Sequence, residues 1–234
     1  MNSPLKNHIL LALPTDEYQR LRERLEPFEL VYNDVLLEPK QEPEWLYFPT
    51  TGVVSLVSIL GGKSTTETGT IGFEGVVGAL PFLGRGVANN YSVVQISGTA
   101  MRIEAEVLRQ ECDRSKILTK ILLRYALELF NQVSQVAACN NHHTIEQRTA
   151  RWLLMLDDRS NRPRIDMTHE LLSKMLGVRR SGITETAQHM RQRSIINYHR
   201  GKIEIIDRQA LEAIACECYQ VLKIGVARTL NDEG

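Results

Sequence analysis

The chain has 234 residues, 43% of them hydrophobic and 24% charged, and its 28 Lys and Arg balance 28 Asp and Glu. This length suits two ordinary domains. No apolar run approaches the roughly 20 residues of a membrane span, and the short patch Ile9–Leu13 lacks the length and cleavage site of a signal peptide, so a cytoplasmic protein is expected.

The zero net charge conceals an asymmetry. Residues 1–144 hold 13 Lys and Arg against 16 Asp and Glu, whereas residues 145–208 hold 13 against 8. The basic excess therefore lies where a phosphate-binding surface would need it, although charge drift on a solvated surface gives the same sum. Cys112, Cys139, Cys216 and Cys218 have no Cys-x-x-Cys spacing, which suits a reducing compartment.

In chain order, a short helix is expected over Asp16–Leu25. From Phe28 to Ile103, short β-forming runs (Glu29–Tyr32, Trp45–Phe48, Val53–Leu60, Val93–Ile96) alternate with turns at Asn33-Asp34, Pro49, Gly61-Gly62 and Gly84–Gly86. Strands this short and closely spaced predict a small β-roll. Ala105 to about His143 contains no Gly or Pro and reads as one long helix. Its Leu118, Leu122, Tyr125, Leu129, Gln132, Val136, Cys139 and His143 recur at alternating spacings of four and three, the pattern of a parallel coiled-coil seam or of a long core helix; the dimer seam is the preferred reading. A further amphipathic helix, Ile145–Asp157, ends before the breaker Ser160-Asn161-Arg162-Pro163.

Met167–Ile206 forms one device. Thr168 can cap a helix His169–Leu176, Gly177 suits the tight turn, and a second helix over Arg179–Arg193 turns Ile183, Ala187 and Met190 inward. Arg179, Arg180, Ser181, Thr184 and Glu185 are left as a base-reading face, because a helix in the major groove presents its N-terminal side chains to base edges. Thr168, Gln188, Arg200 and Lys202 are candidates for the DNA backbone, the last two at the tip of a hairpin wing formed by Ile195–Tyr198 and Ile203–Ile206.

The stretch from Met167 to Thr186 resembles the helix-turn-helix of the Crp/Fnr superfamily, and the order of β-roll, long helix and winged helix resembles it along nearly the whole chain. The resemblance implies an α+β fold: a cyclic-nucleotide-binding-like β-roll (residues 1–104), a dimerisation helix (105–143) and a winged helix-turn-helix DNA-binding domain (144–234). It implies a transcription regulator rather than an enzyme, a homodimer on two-fold-symmetric double-stranded DNA, and RNA polymerase as a partner. Arg180 takes the position of a base-reading arginine. Where cyclic-AMP-responsive members follow it with Glu and later a second Arg, this chain has Ser181 and Glu185, so its operator should differ.

The family's cyclic-nucleotide cassette corresponds to Gly72, Phe73, Glu74 and Gly75, then Asn89 and Asn90, with Arg85 in the loop. Glu74 is displaced by one residue, Asn90 stands where the phosphate-binding arginine is expected, and Arg85 comes five residues early. A phosphate without its charged partner loses charge-assisted bonding, so an effector other than cyclic AMP, or a protein partner, is expected. No cofactor or metal is expected. The iron–sulfur type needs N-terminal cysteines, and Cys139, His142 and His143 fall short of the four convergent ligands of structural zinc. Cys216-Glu217-Cys218 reads as two small residues on a C-terminal helix, with a redox-active pair as the alternative. Two alternatives remain: a constitutive regulator whose β-roll is a ligand-free scaffold, and a metal-dependent β-barrel enzyme, which the scarcity of histidines near the roll disfavours.

Overall fold

The structure is a computed structural model and describes residues 6–228 apart from 62–63 and 161–162. Gly62 of the expected turn, and Asn161 and Arg162 of the expected breaker, lie outside the described residues.

The chain opens with α1 (His8–Leu11), capped by Asn7, whose side chain accepts from the backbone of Ile9 and Leu10, and α2 (Thr15–Arg22). Seven strands follow: β1 (Glu26–Leu30), β2 (Val35–Leu37), β3 (Trp45–Pro49), β4 (Val53–Leu60), β5 (Ser64–Ile71) and, after α3 (Ala79–Leu83), β6 (Tyr91–Ile96) and β7 (Gly98–Glu104). They form two antiparallel sheets, ordered β1-β7-β3 and β2-β6-β4-β5. Leu30, Leu46, Phe48, Val54, Ile71, Val94 and Ile103 fill the space between them. Asn33 turns β1 into β2 with φ of 72°, a conformation asparagine tolerates. This is the β-roll expected from the turn spacing.

The expected single helix is two. α4 (Ala105–Arg114) and α5 (Lys116–His142) are separated by Ser115, whose extended backbone (φ −118°, ψ 107°) breaks the helix and whose Oγ accepts from Leu118 N at 3.0 Å. Serine favours such caps because its short side chain replaces the missing backbone partner.

α5 also uses its apolar stripe differently from the expected seam. Leu118, Leu122, Tyr125 and Leu129 are buried in the chain's own β-roll core, and Val136 packs into the second core. Gln132 Oε1 accepts from Thr70 N of β5 at 2.6 Å. A second stripe, Leu123, Leu127 and Phe130, lies at the same four–three spacing but is 54%, 59% and 63% exposed. Periodicity shows that one face is apolar; it does not say what covers that face.

The second core belongs to α6 (Ile145–Ser160), β8 (Ile165–Asp166), α7 (His169–Leu176), α8 (Arg180–Gln192), β9 (Ile196–His199), β10 (Lys202–Ile205), α9 (Arg208–Ile214) and α10 (Cys218–Arg228). Trp152, Leu153, Leu156, Leu172, Leu176, Ile183, Met190 and Ile203 pack together there. β8 joins the hairpin in a three-stranded sheet ordered β8-β10-β9.

Trp152 and Arg159 of α6 make polar links from this unit to the roll. Trp152 Nε1 donates to Glu67 Oε1 at 2.7 Å while Ser55 Oγ donates to Glu67 Oε2 at 2.5 Å. Arg159 Nε pairs with Glu74 Oε1 at 2.8 Å.

Candidate nucleic-acid interface

Thr168 caps α7: its Oγ1 accepts from Leu171 N at 3.1 Å. Gly177 ends the helix in the left-handed region (φ 62°), letting its N–H and that of Val178 reach the last carbonyls of α7. A side chain there would be strained and would also strike Thr66 of β5. The turn between α7 and α8 thus rests on the roll.

Ile183, Ala187 and Met190 anchor α8 in the core at 0%, 3% and 0% exposure. Because a helix repeats every 3.6 residues, this leaves Arg179, Arg180, Ser181, Thr184, Glu185 and Gln188 exposed on the remaining surface. No acidic side chain occupies the first turn of α8 and none caps it, so its backbone N–H groups and positive dipole end are free for an anion.

The wing is set against this face. Arg200 (φ 49°) and Gly201 (φ 76°) make the two-residue turn between β9 and β10, and Gly201 O accepts from Met167 N at 2.7 Å. Arg164, His199, Arg200 and Lys202 line one cleft at its tip. Lys202 Nζ lies 3.4 Å from Asp166 Oδ1, a pairing that a phosphate would compete with.

His169, which sequence reasoning passed over, ties the parts together. Its ring stacks on Tyr198 of the wing with centroids 4.1 Å apart, and its Nδ1 lies 3.1 Å from Thr184 Oγ1. Burial, then the nearby Arg180 charge, lowers its pKa from the usual 6.5, which favours the neutral ring. A histidine in the first turn of a helix carries no sequence signal for such a role.

The expected effector residues do not form one site. Glu74 is consumed by Arg159, and the backbone of Gly75 is so close to the Tyr125 ring that no side chain could be added there. Arg85 instead lines a basic groove with Arg109, Lys116, Lys120 and Arg124. Asn89 is exposed, Asn90 half-buried, and both precede β6. Beside Glu74, a cavity of about 350 Å³ is lined by Thr70, Tyr125, Gln132, Gln135 and Leu222 among others.

A β-roll, a long helix and a winged helix-turn-helix whose second helix exposes a polar face have the build of a DNA-binding transcription regulator. Residues 147–214 match the Crp-like helix-turn-helix domain family. FixK2 from Bradyrhizobium japonicum has a similar fold, with a TM-score of 0.70, 14% identity, and coverage of 82% of this chain and 98% of that one. A Crp/Fnr-family transcriptional regulator from Eubacterium rectale gives 0.69 at 16% identity, covering 86% and 94%. The c-di-GMP-responsive global regulator CLP of Xanthomonas campestris gives 0.65 at 13%, covering 82% and 99%. At these identities the likeness is one of fold. No curated protein sequence matches the chain. Residues 147–214 thus carry a Crp-like helix-turn-helix domain, and the chain as a whole shares the fold of Crp/Fnr-family regulators.

Proposed function

We propose that the protein acts as a homodimer that lays α8 of each subunit in a major groove of a two-fold-symmetric DNA site. The exposed face of α8, framed by the basic wing, is the observation that carries this reading. Arg179, Arg180, Ser181, Thr184 and Glu185 read base edges, while Thr168, Gln188, Arg200 and Lys202 hold phosphates. Two such helices about 34 Å apart fit one turn of DNA. The exposed stripe Leu123, Leu127 and Phe130 supports pairing through α5, since the stripe first expected to do so is already covered. Residues 1–104, 105–143 and 144–234 would serve as effector-type domain, dimer helix and DNA-binding domain, with RNA polymerase as the downstream partner.

The β-roll answers to an effector other than cyclic AMP. The Glu74–Arg159 pair and Tyr125 fill the cassette, whereas the neighbouring cavity offers Thr70 Oγ1 and Glu74 Oε2 without partners among the described residues. If nothing enters that cavity, the roll is a scaffold and DNA binding is constitutive. Selecting fragments of genomic DNA with the purified protein tests the function. The reading expects recovery of a two-fold-symmetric motif; unselective recovery counts against it.

A further inference from the structure

Two pairs of residues, separated by about a third of the chain, meet where α5 ends. Cys139 occupies the last turn of α5 and His143 is its C-cap; Cys216 and Cys218 bracket the junction between α9 and α10. We propose that Cys139, His143, Cys216 and Cys218 form a tetrahedral site for one zinc-class divalent ion, which fastens the end of α5 to the α9–α10 junction.

The geometry is that of a single ion. All four ligand atoms lie within 4.8 Å of one another. Metal–sulfur bonds of about 2.3 Å and metal–nitrogen bonds of about 2.0–2.1 Å place tetrahedral ligands about 3.8 Å apart for two sulfurs and about 3.6 Å for sulfur and nitrogen. Here Cys139 Sγ and Cys216 Sγ are 3.5 Å apart, and Cys218 Sγ and His143 Nδ1 are 3.6 Å apart. An iron–sulfur cluster spreads its ligands over several irons and needs a wider spread. The three sulfurs are buried, which shields thiolate ligands from oxidants and competing water.

The surroundings also suit a metal. His143 Nε2 lies 3.2 Å from Glu217 Oε1 while Nδ1 faces the sulfurs, the carboxylate–histidine arrangement that orients a metal-binding imidazole. Gln135 Nε2 donates to Cys218 Sγ at 3.1 Å. Arg148 and Arg151 of α6 are buried near the cluster and, among the described residues, have no carboxylate oxygen within 4 Å, although Arg151 feels the charge of Glu67: Arg148 donates to the carbonyls of Asn140 and Leu176, and Arg151 to Met155 Sδ. Buried cations require counter-charge. Three thiolates around a divalent ion carry one net negative charge and supply it. On binding, the three thiol protons pass to solvent. His142 is exposed and outside the cluster, so of the trio weighed in the sequence only Cys139 and His143 contribute.

The test uses the full chain, stripped of metal with a chelator under anaerobic, reducing conditions and titrated with cobalt(II) in the absence of DNA. One cobalt per chain is expected, with strong visible d–d bands and thiolate-to-cobalt charge transfer that zinc abolishes. Cys216→Ser and Cys218→Ser should weaken uptake ~100-fold or more, and Glu217→Gln about 10-fold as a positioning effect. Cys112→Ser, outside the cluster, should change nothing. Sub-stoichiometric uptake, a pale six-coordinate spectrum, or iron with acid-labile sulfide would overturn the proposal. So would a Cys139–Cys216 disulfide that forms in place of metal uptake, or a folded Cys216→Ser chain with the parental spectrum. Because DNA is absent, failure here leaves the operator reading untouched.

Discussion

Arg159 of α6 and Glu74 of the roll form an ion pair, Nε to Oε1 at 2.8 Å, with both side chains about 95% buried. Glu74 Oε1 also accepts from Gly72 N, and Arg159 Nη1 donates to Met155 O. Removing one charge leaves the other buried and unpaired, a cost of about 3–5 kcal/mol. Glu74→Ala should therefore lower unfolding free energy by about that amount in urea titrations. The double change Glu74→Leu, Arg159→Met should recover most of the loss. Equal losses in the single and double variants would show that the pair is not what holds this junction.

Glu67 should give the junction a pH dependence. Burial pushes its pKa up to about 7 from 4.5, against the opposing hydrogen bonds from Ser55 and Trp152. A raised carboxyl binds its proton more tightly when folded, so its stabilisation is complete below 4.5 and is lost as pH rises through about 7. The loss is on the order of 3 kcal/mol. Glu67→Gln should flatten melting temperature against pH across that window, and Trp152 fluorescence should stop responding there. An unchanged profile contradicts the assignment.

His169 reports on the exposed face of α8. Since the Arg180 charge contributes to its lowered pKa, Arg180→Ala should raise that pKa, read from the imidazole resonances by NMR. The shift should stay partial, because burial is the larger cause. No shift would mean that Arg180 does not face His169 in solution.

Pairing through α5 separates two stripes of one helix. Leu127→Glu with Phe130→Glu should give a folded monomer in sedimentation, since both residues are exposed within one chain. Leu122→Ala should instead cost about 2–5 kcal/mol of folding stability, as a fully buried leucine does. If the Leu122 variant dissociates while remaining as stable as the parent, the assignment is reversed.

Much of this molecule was legible where local rules act. Thr168, Gly177 and the Arg200-Gly201 turn each satisfy a backbone requirement within a few residues, so the helix-turn-helix and wing were visible in the letters. What stayed hidden was long-range. Ser115 looked harmless inside a helical run, and the α5 stripe could not reveal whether a partner or its own roll covers it. Cys139 and His143 were weighed apart from Cys216 and Cys218, because only tertiary folding brings residues that distant together. Glu74 read as a remnant of a ligand cassette, and its partner lies 85 residues away.

Whether α8 reads DNA is decided by the affinity of parent and Arg180→Ala protein for a DNA site selected from genomic fragments. Removing one bidentate base contact should cost about 1–3 kcal/mol per contact and relax preference at a single symmetric position in each half-site. Arg200→Ala, measured alongside, should weaken all sequences alike and reduce the salt dependence. Arg180→Ala protein that stays folded and binds the selected site as tightly and selectively as the parent would contradict α8 as the reading helix.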